Sequence, residues 1–262
     1  MRIFQHELRQ NRKTLLIWTA VIAGMNFIFM MIYPQMADQA AEMTEVYANL
    51  GGFSAAFGMD RIDLTTAIGF YGIEAGAVLS IGGGMLAAIL GGGMLCKEEG
   101  GHTAEFLFTM PVSRTWVILW KALAAFVMVL FFNVVCTTVG IGAFAAAGEN
   151  MEWKKFLLYH FAQFCMHTEV MLLCMGISAF LRKMSMGLFI GMSMCLYFLQ
   201  LFRNVSDQAD WLKYVTPYSY SDAAGILPGG NVEWGLVLSG LCCAAAVLAA
   251  GAWIYNRKDL AA

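Results

Sequence analysis

Residues 75–96 read AGAVLSIGGGMLAAILGGGMLC, with no Asp, Glu, Lys or Arg. A helix needs about 20 mostly apolar residues to cross a bilayer core of roughly 30 Å. The glycines in this stretch do not make a phosphate loop. No Lys-Ser or Lys-Thr pair follows Gly82-Gly83-Gly84 or Gly91-Gly92-Gly93, so the cation and metal ligand of such a loop are missing. Ser80, Gly84, Ala88 and Gly92 instead recur every four residues. Small residues at that spacing let helix backbones approach closely in lipid, so the stretch reads as a span with a packing face. Gly187 and Gly191 repeat the spacing further along the chain.

Four more stretches lack Asp, Glu, Lys and Arg: 15–37, 122–148, 184–202 and 234–256. A sixth, 156–181, is interrupted once, by Glu169. Carried to their interfaces, six helices are predicted at 15–37, 70–96, 116–147, 156–181, 184–202 and 234–256. Composition points the same way: 60% of the 262 residues are hydrophobic and only 13% charged, where a soluble domain carries about 25% charge. The mean hydropathy is +0.65. A net charge of −2 excludes a basic nucleic-acid binder, and the apolar content excludes a disordered chain. The first span is too long, and lacks the small-residue cleavage site, for a removable signal peptide. The expected fold is an all-α polytopic membrane protein with residues 1–262 as one transmembrane domain.

Lys and Arg set the orientation. With the N-terminus inside, the inner segments hold 11 of the 16 basic residues, among them Arg9, Arg12, Lys97, Arg114, Lys121, Arg182, Lys183 and Arg257. Only five acids accompany them, an inner charge of +6. Both termini are therefore expected in the cytoplasm. The first turns put Phe4, Leu8 and Leu15 on one side and suit a short helix lying on the inner leaflet. Outside, Met36, Ala40, Met43, Tyr47 and Leu50 recur at helical spacing within an amphipathic segment. Residues 203–233 form a second external segment rich in Trp, Tyr and Pro; Tyr214, Tyr218 and Tyr220 suit either interface anchoring or aromatic stacking on a cargo.

Few residues are placed for chemistry. The seven cysteines form no C-x-x-C pair and no zinc spacing, so they read as small hydrophobes and no metal site is expected. H-E-x-x-H is absent. Glu169 is the sharper residue, because a carboxylate within a span is costly and faces the bundle interior. It is either a proton, cation or substrate contact, or a polar lock between helices. His167 lies two residues away and points to another side of the helix.

The longest internal loop, 97–115, contains Glu98-Glu99-Gly100-Gly101-His102-Thr103-Ala104-Glu105-Phe106-Leu107-Phe108-Thr109-Met110-Pro111-Val112-Ser113-Arg114. Thr103 can cap a short helix, Phe106 and Met110 share one face of it, and Pro111 stops it. Ser113 can cap the third span. Apolar groups rimmed by Glu98, Glu99, Glu105 and Arg114 suit a protein partner.

This loop resembles the signature of the type-2 ABC export permeases: an acidic residue, a glycine, Thr-x-Glu, apolar residues, then Pro-Val-Ser-Arg between the second and third spans. Thr103, Glu105, Leu107 and Pro111 to Arg114 fill those positions, with His102 inserted after Gly101. The resemblance implies a permease that dimerises with itself or a paralogue, each half binding a cytoplasmic ABC ATPase. The loop would be a coupling helix, with Glu98, Glu99, Thr103, Glu105, Phe106, Met110 and Arg114 as coupling residues. The external segments before the second and sixth spans would be re-entrant or lid-like. ATP and Mg would bind the partner, and this chain would bind no cofactor and no nucleic acid. The expected setting is a bacterial cytoplasmic membrane and the cargo a hydrophobic drug, antibiotic peptide or lipid. The alternatives are an ion-coupled secondary transporter using Glu169, and a non-transporting scaffold or immunity protein.

Overall fold

The computed structural model describes residues 2–37, 39, 50–101 and 113–258. Among these the chain is helical, with no strand. Six helices are long and apolar enough to cross a membrane: Arg2–Ala37, Ala67–Gly92, Arg114–Ala147, Trp153–Ser178, Met186–Val205 and Trp234–Arg257. They are called the first to sixth spans below. Six crossings return the chain to the end of the bundle at which it starts.

The first span differs from the expected short surface helix followed by a separate crossing. It is one unbroken helix of 36 residues. No Gly or Pro falls between Arg2 and Ala23, and the helix continues through Gly24 and Pro34. At 1.5 Å per residue it is ~54 Å long, well beyond the hydrocarbon core, so it tilts or extends past it. Of the amphipathic segment expected outside, residues 40–49 lie outside the described residues; a short helix, Gly52–Phe57, is seen beyond them.

The other spans start at local caps. The Thr66 hydroxyl accepts from the Gly69 N–H at 3.1 Å and opens the second span. Ser113 caps the third span and Ser185 the fifth, each through its hydroxyl oxygen. Gly148, at φ +75°, ends the third span in the left-handed region, where glycine carries no Cβ penalty. The second span includes a π turn, Tyr71–Ala75.

The fourth span is the core of the bundle, packed between the second and the sixth, while the first lies along the third. Close approach is set by missing side chains. A Cβ on Gly91 would run into the Met171 carbonyl, and one on Gly176 would sit 2.6 Å from the Val247 carbonyl oxygen. In the four-residue ladder, a Cβ on Gly84 would meet the Tyr218 hydroxyl and one on Gly92 the Phe189 ring. Ala88 is fully buried and Ser80 accepts a hydrogen bond from Gln163. Gly187 and Gly191 face open space instead, because the fifth span is peripheral and exposes Met186, Leu188, Phe198 and Phe202.

The segment between the fifth and sixth spans does not stay at the surface. It runs through 3-10 turns, Asp207–Tyr214 and Pro217–Ser219, and a short helix, Ala223–Ile226. Tyr218 and Tyr220 are buried and reach the middle of the bundle, whereas Tyr214 is exposed. Pro217 fixes the turn that sends the chain inward, with Thr216 capping it.

Candidate functional site

Among the described residues, two polar centres are buried in this bundle. The first lies at the end where the chain starts. Glu7 of the first span is 1% exposed and meets two ammonium groups. Lys97 pairs with one carboxylate oxygen and also donates to the Gln10 side chain at 2.7 Å. Lys121 lies 3.3 Å from the other oxygen. Lys121, also 1% exposed, further pairs with Glu98 and donates to the Met94 carbonyl at 2.6 Å. Burial pushes the Lys97 pKa down, and the Glu7 carboxylate opposes that shift. Nearby, Glu99 pairs with Lys258 at 2.6 Å and lies 3.8 Å from Arg182. Arg114 donates to the Tyr255 carbonyl at 3.1 Å and the Lys258 carbonyl at 2.8 Å.

The sequence places Glu98, Glu99 and Arg114 on an outward-facing rim. In the structure Glu99 is 7% exposed, Glu98 pairs with the buried Lys121, and Arg114 is bonded to the end of the sixth span. The reason is charge: in a chain this apolar, carboxylates near the bundle find their counter-ions on neighbouring helices. Thr103, Glu105, Phe106 and Met110 lie outside the described residues. Both ends of the internal loop are thus fastened to the spans. Its start is held by the first, third and sixth spans and by the turn after the fourth; its end is held by the sixth. Glu7, Lys97 and Lys121 went unassigned in the sequence. The signal was a lysine seven residues inside an apolar helix, where an unpaired ammonium is costly.

The second centre lies within the bundle and is joined by neutral hydrogen bonds. Gln163 of the fourth span is fully buried, its amide nitrogen 2.6 Å from the Ser80 hydroxyl, 3.0 Å from the Tyr159 hydroxyl and 2.9 Å from the Ser221 carbonyl. The Thr137 hydroxyl donates to the Asn133 carbonyl at 2.7 Å. The same hydroxyl lies 3.1 Å from His160 Nδ1, and His160 Nε2 lies 2.9 Å from the Tyr71 hydroxyl. His167 Nδ1 is 3.0 Å from the Asn133 side-chain oxygen.

Glu169 stands apart from His167, on the side facing the sixth span and the inserted segment. Its Oε2 accepts from the Tyr220 hydroxyl at 2.8 Å. The carboxylate also lies against Gly240, where a Cβ would run into it. Glu169 borders a cavity of about 230 Å³ whose wall includes Leu173, Tyr214, Leu236, Ser239 and Cys243. A smaller cavity, about 40 Å³, lies near Ser80, Tyr159, Asn204 and Asp222. Asp222 caps the short helix there and pairs with Arg61 at 3.4 Å; burial pushes its pKa up, and Arg61 opposes that. The sequence singled out Glu169 and His167, and Tyr220 only as one aromatic of an external segment, but not Gln163 or Asn133. Among the described residues, no group of three His, Cys, Asp or Glu side chains is placed to hold a metal.

Among the described residues the arrangement offers no nucleophile with a base and no phosphate cradle. It offers a polar interior in an apolar bundle and a loop whose two ends are fastened to the spans. No curated protein matches the chain. A family model described as ABC-2 family transporter protein matches residues 1–260. Members of that family are transmembrane subunits and are not themselves catalytic. The chain belongs to the ABC-2 transporter family, and is a multi-pass membrane permease of an ABC transporter.

Proposed function

We propose that the chain is one transmembrane half of an ATP-driven exporter. The end bearing Glu7, Lys97 and Lys258 faces the cytoplasm, in keeping with its excess of Lys and Arg. The loop over residues 97–115 docks on a separate ABC ATPase, which binds ATP and Mg. Thr103, Glu105, Phe106 and Met110 make the contact. Glu98, Glu99 and Arg114 act behind it, fixing the loop to the spans. A second copy or a paralogue completes the translocation path, in a bacterial cytoplasmic membrane. The cargo is a hydrophobic drug, antibiotic peptide or lipid.

The observation that carries this reading is the fastening of both loop ends to different spans. A displacement of either end of the loop is passed on to the spans. It pulls on the first and third spans through Glu7 and Lys121, and on the sixth through Arg114 and Lys258. Buried ion pairs suit that task, since separating one leaves an uncompensated charge.

The test is co-purification of the ATPase with Phe106→Ala and Glu105→Lys variants. Loss of ATPase binding, or of the hydrolysis that the permease stimulates, with the permease still folded in the membrane is expected. Retained binding and full stimulated hydrolysis in both variants would remove the loop from this role.

A further inference from the structure

The cavity beside Glu169 is a feature that ATPase coupling does not use. It lies between the fourth span, the sixth span and the inserted segment. Glu169 is level with Gly240, six residues into the sixth span, or ~9 Å from that helix's start. Tyr220 occupies Oε2. Oε1 takes no hydrogen bond from the described residues. The other polar side chains of the wall do not supply one. The Ser239 hydroxyl donates to the Leu236 carbonyl at 3.0 Å, and the Thr216 hydroxyl to the Leu196 carbonyl at 2.7 Å. Lys213 is the wall's basic residue, but its ammonium is held by Asp210 at 2.6 Å, on the exposed side. The rest of the wall is apolar or aromatic, and Tyr214, Val215, Ser239 and Cys243 are exposed around the opening. At about 230 Å³ the space exceeds the ~150 Å³ apolar cavity that admits a benzene ring in a well-studied protein.

A carboxylate with one free oxygen, at the base of an apolar cavity open beside a lipid-facing helix, calls for a counter-charge that brings its own apolar body. We propose that this cavity binds a cationic amphiphile, its ammonium head against Glu169 and its apolar body against Leu173, Leu236 and Tyr214. Tyr220 is the positioning residue: by holding Oε2 it turns the other oxygen to the ligand. Gly240 lets the carboxylate sit flush against the sixth span. The site does not rest on the export reading, because binding requires neither ATP nor a partner.

The test uses the full chain in phosphatidylcholine nanodiscs, with benzyldimethyldodecylammonium as the probe and N-dodecylacetamide as its neutral counterpart. Cys243 lies in the cavity wall, while Cys195 is exposed on the fifth span, away from it. In a Cys242→Ser background, the rate of maleimide alkylation is read at both thiols by mass spectrometry. The ammonium is expected to slow alkylation of Cys243 at least fivefold while changing Cys195 less than twofold. The amide is expected to change both less than twofold. Glu169→Gln is expected to remove the difference between the two amphiphiles. Equal protection by ammonium and amide, equal protection of both thiols, or an undiminished preference in Glu169→Gln would each overturn the proposal. The first two comparisons keep the native Glu169, so they decide the question even where Glu169→Gln does not fold. A failure to find ATP-driven transport would count against the exporter and leave this result standing.

Discussion

Glu7 and Glu169 are both almost fully buried carboxylates in an apolar bundle, and they are satisfied in opposite ways. Glu7 is enclosed by two ammonium groups that arrive from different helices, and those lysines are bound in turn to Glu98, Met94 and Gln10. Glu169 has one phenol, one glycine face and an open cavity. The first carboxylate is pinned on every side and works as a joint. The second is held by one oxygen only and keeps the other for a ligand. A buried charge therefore does not by itself say "site" or "lock". What surrounds its second oxygen does.

The largest effect that would sharpen this contrast is at Lys121. Lys121→Met leaves Glu7 and Glu98 without their shared cation, and a broken buried pair costs about 3–5 kcal/mol. Equilibrium unfolding of the purified chain in mixed micelles should show that loss. A change below about 1 kcal/mol would mean that the joint is not structural. Next comes the contact between the fourth and sixth spans. Gly176→Leu must place a side chain where the Val247 carbonyl lies, 2.6 Å from the first added atom. Overpacking of that kind costs about 1–3 kcal/mol and should lower the unfolding temperature measurably.

At the looser centre the expected effect is smaller. Tyr220→Phe removes the donor to Oε2, at about 1–2 kcal/mol for a buried acceptor left unpaired. The Tyr220→Phe and Glu169→Gln changes should be less than additive, since they remove the two halves of one contact. Additive losses in the same unfolding assay would separate the two side chains. The smallest effect belongs to Gly187→Leu. That position faces open space, so the isolated chain's stability should move by no more than about 0.5 kcal/mol. Chemical cross-linking of the same variant reads separately whether the fifth span meets a second copy.

The six spans were legible because lipid imposes a length and forbids charge, and both are properties of a continuous stretch. Glu169 was legible for the same reason, as the one carboxylate that broke such a stretch. Its partner was not. Tyr220 is 51 residues away in a segment that reads as an external turn, and nothing local to Trp211, Tyr214, Tyr218 and Tyr220 tells which of these rings turns inward. The joint was hidden by a different rule. Glu7, Lys97 and Lys121 lie near span ends, where charges count toward orientation, so their pairing across three helices left no periodic trace. The first span runs as a single rod because the change from charged to apolar composition in its first turns carries no Gly or Pro, and neither Gly24 nor Pro34 further along interrupts the helix.

On the proposed function, a separate ATPase drives the movement of this permease. The direct measurement is ATP hydrolysis by the tagged chain purified from its native membrane into lipid nanodiscs. A second subunit bearing Walker motifs is expected in fixed proportion to the chain. Hydrolysis should be vanadate-sensitive, vanish when that subunit's P-loop lysine is replaced, and be absent from the chain alone. A chain that carries no such subunit, and whose vesicles move cargo on an ion gradient without ATP, would contradict it.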